Sequence, residues 1–230
     1  MKKIGLIMGT SWESSKEYYQ IINQMVNEKL GDYHCAKMIM INVDFQDVVN
    51  NFQNDDWDSM NKLLYNAADS LEKSGADFIV ICTNALHNCA DYISMKINIP
   101  LIHIADCVGA AIKKDDLKKV GLLGAKSTMQ LDYYKDRLAE YNIEVIVPEL
   151  KDMNYVHNII FDELCKGKFT KSSRNGFLEI INRLQKTGAQ GIVLGCTEIP
   201  LLIKQEDSII PLYDTLTLHS KGIVDYALKK

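Results

Sequence analysis

The sequence predicts an α/β protein made of two similar lobes, each with a mainly parallel sheet flanked by helices. Two observations carry that prediction. Short apolar runs alternate with amphipathic stretches along the whole chain, the pattern of parallel strands joined by helical crossovers. The chain also repeats itself, with matching segments in the same order in each half.

The elements follow in order. "KIGLIMG" at 3–9 reads as a strand, and residues 14–30 as a helix whose Tyr18, Ile22, Met25, Val26 and Leu30 form one apolar stripe. A strand is expected at 37–43, a helix near 58–74 ending at Gly75, a strand at 77–82, and a helix over 85–96 closed before Pro100. The alternation resumes with a strand at 120–124, a helix over roughly 128–141, a strand at 143–148, helices near 153–166 and 173–187, and a strand at 191–196. A short helix and a final helix near 215–228 complete the chain.

"KIGLIMG" at 3–9 resembles "KVGLLGA" at 119–125, a shift from Gly5 to Gly121; "GADFIVICTN" at 75–84 resembles "GAQGIVLGCT" at 188–197, a shift from Gly75 to Gly188. Two nearly equal shifts in the same order predict two pseudo-symmetric Rossmann-like lobes, residues 1–100 with 208–230 forming the first and 101–207 the second. The lobes are expected to face one another across a cleft that holds the active site, because ligands of open parallel sheets bind beyond the C-terminal ends of the strands. Both repeated segments end there. Aligning Gly75 with Gly188 pairs Cys196 with Thr83 and leaves Cys82 opposite Gly195. Successive strand side chains point to opposite faces, so Cys82 and Thr83 cannot both face a cleft while the strand lasts. Thr83 is expected there, with Cys82 packed behind it.

Composition excludes other classes. The 230 residues are 47% hydrophobic and 24% charged, with a net charge of -4, a globular balance with no basic patch for nucleic acid. No apolar run approaches a membrane span, and the N-terminus enters a strand directly, so a cytoplasmic protein is expected. The six cysteines show no metal-clip spacing in a chain too long to need staples, and free thiols with no metal are expected.

The segments "GLIMGTSWESSKEYY", "CTNALH", "LLGAKSTM", "FDELCKGKF", "GAQGIVLGCTEIPLL" and "PLYDTLTLH" together resemble the aspartate/glutamate racemase family over essentially the whole chain. The resemblance implies racemisation of an acidic amino acid, with no cofactor, by two residues on opposite sides of the substrate Cα, and it implies a homodimer. In two-cysteine members the first segment reads Cys-Asn-Thr; here its Asn is Asn84, so the first cysteine falls on Thr83, in agreement with the internal repeat. The catalytic pair is then Thr83 and Cys196.

Deprotonating Cα without pyridoxal phosphate needs a base on one face and a proton donor on the other. A thiolate serves as the base when a helix N-terminus or a cation lowers its pKa. Cys196, followed by "TEIPLL" with Pro200 suited to an early helical position, is expected to receive such help. Threonine has no comparable acidity, so Thr83 is expected to relay or donate a proton, and the two enantiomers to turn over at unequal rates.

Asn84 and Thr197 follow the two catalytic positions and could hold the α-carboxylate or cap helices. Glu198 could pair with the substrate ammonium or simply suit a first helical turn. The resemblance adds Thr10 and Ser11 in the first βα loop, Gln53, Ala85 where many relatives carry a hydroxyl, and Thr128. It also adds Lys166, with Lys168 as rival, as the cation for the side-chain carboxylate. Trp12 is expected to pack, and His87, His103 and His219 to be satisfied structural residues. Aspartate and glutamate stay undivided, since one methylene is worth only about 1–3 kcal/mol. A single-thiol decarboxylase or isomerase and a non-catalytic binder are the alternative readings.

Overall fold

A computed structural model describes residues 1–229. The chain divides into two units, Met1–His103 with the segment from His219 onward, and Ile104–Leu218.

The first unit runs β1 (Ile4–Met8), α1 (Trp12–Leu30), β2 (Met38–Asn42), α2 (Phe45–Gln53), α3 (Trp57–Lys73) and β3 (Phe78–Ile81). A 3-10 turn (Ala85–Cys89), α4 (Ala90–Ser94) and β4 (Leu101–Ile102) follow. The second runs α5 (Ile104–Lys114), β5 (Lys119–Gly124), α6 (Lys126–Gln130), α7 (Asp132–Ala139), β6 (Glu144–Ile146), α8 (Leu150–Asp162), a 3-10 turn (Leu164–Lys166), α9 (Lys171–Lys186), β7 (Gly191–Gly195), α10 (Ile199–Leu202) and β8 (Leu212–Asp214). The final helix α11 (Thr215–Leu228) begins in the second unit and continues in the first.

Each sheet has four parallel strands, in the order β2-β1-β3-β4 and β6-β5-β7-β8. The two orders are the same order, so the internal repeat is a repeat of structure. Gly75 and Gly188 show how closely it holds: each follows the C-cap of the helix before the third strand, with φ of +84° and +100°, a conformation that disfavours any side chain.

Every residue of β1, β3 and β7 is buried. In the second unit the alternation is resolved into two cores. Leu123, Ile192 and Leu194 pack with Val156 of α8 and Phe177 and Ile180 of α9, while Val120, Leu122 and Val193 pack with Val108 of α5 and Leu138 of α7. Burial of one such aliphatic side chain is worth about 1.5–3 kcal/mol.

Several expectations shift. The α1 stripe closes at Val26, because Leu30 is 41% exposed at the helix end. The helix expected over 128–141 breaks at Leu131, whose ψ of 151° separates α6 from α7. Elements α2, β4, α5 and β8 lie outside the expected set. Residues 208–218, expected with the first lobe, fall in the second unit because β8 pairs with β7 (Ile192↔Leu212, Leu194↔Asp214) and the Thr215 hydroxyl donates to Leu194 O at 2.9 Å. Residues 101–103 fall in the first, where β4 pairs with β3. No helix among the described residues is long and apolar enough to cross a membrane.

Candidate active site

Thr83 and Cys196 hold equivalent positions in their units, each the second residue past the last residue of β3 or the first past β7, one position beyond the repeat pair Cys82 and Gly195. Both side chains are part-buried. Cys82 is fully buried, and desolvation pushes its thiol far above the ordinary range. Its counterpart is a glycine for lack of room: a Cβ on Gly195 would stand 2.7 Å from Leu122 Cδ1 and 3.3 Å from Thr128 Cγ2.

The β1–α1 loop is unusually constrained. Ser11 has φ 94° and ψ 118°, a region that costs a residue with a side chain about 1–3 kcal/mol. The strain is held by Ser15, which donates through Oγ to Ser11 O at 2.8 Å and accepts from Gly9 N at 3.0 Å. Thr10 Oγ1 and Ser11 Oγ are buried and make no hydrogen bond among the described residues. A buried hydroxyl without a partner is expensive. Trp12, expected to pack, is instead 64% exposed, with Lys16 Nζ 4.9 Å from its ring centroid.

Behind Thr83 lies a buried group of three histidines. His87 Nδ1 donates to Thr83 O at 2.7 Å, and the His87 ring stands 4.4 Å from that of His103 and 5.6 Å from that of His219. His219 Nε2 donates to Ile102 O at 3.0 Å, which leaves Nδ1 as the acceptor of the Tyr18 hydroxyl at 2.9 Å. Burial, followed by the neighbouring rings, drives His87 well below its usual range, and burial takes His219 to about 3. Both are neutral structural groups at pH 7. Asn84 and Ala85 open the adjoining 3-10 turn, both buried; Asn84 occupies the cap position without a side-chain cap bond.

In the second unit Cys196 Sγ donates to Glu198 Oε2 at 3.0 Å, and Thr197 Oγ1 donates to the same oxygen at 3.1 Å. Thr197 and Glu198 are almost wholly buried. The expectation of a thiol made acidic by a following helix is overturned. Helix α10 has only four residues, and desolvation and the Glu198 carboxylate, with a smaller effect of Cys165, raise the Cys196 pKa well above the usual thiol range. Cys165, from the 3-10 turn after α8, escaped the sequence reading because nothing in the spacing links it to residue 196. Thr128 is fully buried in α6, near Gly124 and Gly195, with the Tyr133 hydroxyl 3.4 Å away.

The remaining candidates are on the surface. Gln53 is exposed at the end of α2, and Lys168 is exposed. Lys166 is exposed, its Nζ 3.8 Å from Asp162. All three arginines are already paired with aspartates, Arg137 with Asp106 at 2.9 Å, Arg183 with Asp152 at 2.7 Å, and Arg174 with Asp207. Among the described residues no group of three or more His, Cys, Asp or Glu could hold a metal ion.

The comparisons with known proteins agree with this architecture. The family model described as Asp/Glu/Hydantoin racemase matches residues 7–221. A candidate Asp/Glu racemase from Yersinia pestis is 43% identical, with a TM-score of 0.92 and 100% of each chain covered. An aspartate racemase homologue from Pyrococcus horikoshii is 34% identical, with a TM-score of 0.86 and the same full coverage. Glutamate racemase from Hydrogenobaculum is 25% identical over 70% of this chain, and the match spans only 60% of that enzyme's length. With its duplicated four-stranded sheets and a family match over nearly its whole length, the chain belongs to the Asp/Glu/hydantoin racemase family.

Proposed function

We propose that this protein racemises an acidic amino acid, aspartate or glutamate, without a cofactor, using Cys196 and Thr83 on opposite faces of the substrate Cα. The observation that carries the reading is the equivalence of the two positions: one step past the Cys82/Gly195 pair, the duplicated fold puts a thiol in one unit and a hydroxyl in the other. In this reading Cys196 removes the Cα proton from one enantiomer, and the Thr83 hydroxyl passes a proton to the other face from water. Thr10, Ser11, Asn84, Thr128 and Thr197 offer hydroxyl and amide groups for the α-carboxylate and the enediolate formed from it. Lys166 serves the side-chain carboxylate.

The asymmetry of the pair has a kinetic consequence. A hydroxyl is a poor base, so the direction begun by Cys196 has the larger turnover number. The ratio of the two kcat/KM values still equals the equilibrium constant, which is unity for enantiomers in water.

The test is deuterium incorporation at Cα, followed by NMR, with L- and D-aspartate and L- and D-glutamate, for wild type, Thr83→Ala, Cys196→Ala and Cys82→Ala. Exchange that needs Cys196, survives Cys82→Ala and runs unequally from the two enantiomers is expected. Folded wild-type protein that exchanges none of the four substrates would overturn the reading. A homodimer belongs to the same proposal, and a monomeric sedimentation profile would remove it.

A further inference from the structure

We propose that His157 is a positioning residue, holding the loop beside Cys196 in place only while its ring is neutral, so that substrate affinity falls on acidification. The inference rests on the racemase reading and adds what sets the pH range of binding.

The local sequence leaves a helix start without a cap of its own. Helix α6 follows β5 directly, and its cap position is Ala125, a residue with no side-chain acceptor. Met129 N closes the first turn on Ala125 O at 3.1 Å, so the N–H groups of residues 126–128 need acceptors from elsewhere. One comes from another helix: Lys126 N donates to His157 Nδ1 of α8 at 3.2 Å. The corresponding loop of the first unit is held by Ser15, which accepts from Gly9 N and does not titrate. The second unit uses an acceptor that a proton removes.

The bond holds a helix that packs on the strand end bearing the thiol. Thr128 of α6 is fully buried, and a Cβ on Gly124 would stand 3.2 Å from its Cβ, one on Gly195 3.3 Å from its Cγ2. Gly124 and Gly195 are paired in the sheet, and Cys196 is the next residue. A shift of α6 therefore reaches both the Thr128 hydroxyl offered to the substrate carboxylate and the backbone that carries Cys196.

An imidazole that accepts at Nδ1 carries its proton on Nε2, and once doubly protonated it accepts nothing. Protonation would set an N–H against the Lys126 N–H and a second cation beside the lysine. Burial and then Lys126 oppose the charged ring, against Asp162 further along α8, which holds the His157 pKa below its usual 6.5. Lys166, from the turn after α8, stands 3.8 Å from Asp162; Arg183 of α9 meets α8 at Asp152, near its start; and the ring itself packs on Phe161, 4.8 Å between centroids. The bond is thus intact at neutral pH and is lost as pH falls through a value below 6.5.

The variants are His157→Asn, whose amide oxygen can accept near the Nδ1 position and does not titrate, and His157→Leu, which removes the acceptor. Both are made in the full chain, with folding checked by circular dichroism at each pH. In wild type, KM for the acidic amino acid is expected to rise about 2–10-fold between about pH 7.5 and 5, the net worth of one hydrogen bond, with kcat changing less. His157→Asn should keep the neutral-pH wild-type KM across that range, and His157→Leu should show the raised KM at every pH. Nitrogen-15 NMR of histidine-labelled protein at neutral pH should find His157 Nδ1 without a proton, and amides 126–130 should exchange faster on acidification in wild type than in His157→Asn at the same pH.

An acid rise in KM that persists in His157→Asn would overturn the proposal, as would a wild-type KM in folded His157→Leu or a proton on Nδ1 at neutral pH. The asparagine profile and the tautomer carry the test if the leucine variant does not fold. Wild-type protein inactive on aspartate and glutamate of either hand at every pH is the separate failure of the racemase reading, and the tautomer and exchange rates then still decide whether the bond holds the loop.

Discussion

His87 donates from Nδ1 to the backbone oxygen of Thr83 at 2.7 Å, four residues back along the chain. A buried imidazole thus fixes the carbonyl of the residue proposed to work on one face of the substrate, from a position where it touches no solvent. Replacing the ring by one of similar volume without a donor, His87→Phe, leaves that carbonyl unpaired. The expected loss is about 1–3 kcal/mol of stability, measured by urea denaturation. The turnover number of the direction that begins at Thr83 should also fall more than that of the direction that begins at Cys196, while the two kcat/KM values change together, and an equal fall of both turnover numbers would show that the bond serves folding alone.

The same histidines set a pH dependence. His87 and His219 are neutral in the folded protein, with pKa values well below the usual 6.5 and, for His219, about 3. Between the unfolded and folded values the unfolded chain binds more protons, so stability is full above about pH 6.5 and falls as pH drops toward 3. His219 contributes a slope of about 1.4 kcal/mol per pH unit across that window, and His87 adds to the decline in the same direction. Denaturant titrations at intervals from pH 7 to 4 should show the decline, with a shallower slope in His219→Gln. A slope unchanged by that substitution would place the proton uptake elsewhere.

Much of this was legible in the sequence for a physical reason. Central parallel strands are covered on both faces, so "IGLIM", "FIVI" and "GIVLG" are apolar without interruption, and they recur in order. Elements too short to show a period were not legible: β4 has two residues and β8 three. Helix α5 was hidden by Gly109 in the middle of its pattern. The repeat singled out Thr83 and Cys196, yet the state of the thiol could not be read from it. That state depends on which way the Glu198 side chain turns, and both an acidifying helix end and an opposing carboxylate are consistent with the letters "CTEIP". The histidine group was equally hidden, since residues 87, 103 and 219 meet only after folding.

Two glycines with nearly the same φ should respond very differently to substitution. Gly9, at the end of β1, has φ +87°, and a Cβ there would lie 2.1 Å from Val43 O; Gly31, after α1, has φ +77° with nothing within 4 Å. Gly31→Ala, at φ +77° and ψ -168°, carries only the penalty of that glycine-favouring backbone region, about 1–3 kcal/mol. Gly9→Ala adds a collision with backbone that must move β2 or the loop bearing Thr10 and Ser11, so it should be the costlier by a wide margin and should also depress activity. Comparable melting temperatures for the two variants would contradict the packing at β1.

The free cysteines should separate by accessibility and charge. Cys35 is exposed, Cys82 and Cys89 are buried with their thiols pushed up by desolvation, Cys89 to about 12. Under native conditions at neutral pH, iodoacetamide should label Cys35 first, with Cys82 and Cys89 modified only on unfolding. Cys196, part-buried and opposed by Glu198, should label slowly despite its proposed role. Mass spectrometry of a time course distinguishes the cases, and fast native labelling of Cys82 would contradict its burial.

The cation for the substrate's side-chain carboxylate gives the last prediction. Each arginine already holds an aspartate, and withdrawing one would break an existing pair. Lys166 is held only loosely: its Nζ is 3.8 Å from Asp162, with both side chains more than half exposed, a contact worth at most about 1 kcal/mol. It can leave that partner at little cost. The turn that carries it also carries Cys165, whose thiol is pushed up by burial and by Glu198 and drawn down by Lys166. A charged hydrogen bond to substrate is worth about 1.5–3 kcal/mol, so Lys166→Met should raise KM for aspartate and glutamate roughly 10–150-fold while stability is unaffected. Lys168→Met, on the same surface, is the control. If that variant loses affinity and Lys166→Met does not, the carboxylate is held two residues further along the chain.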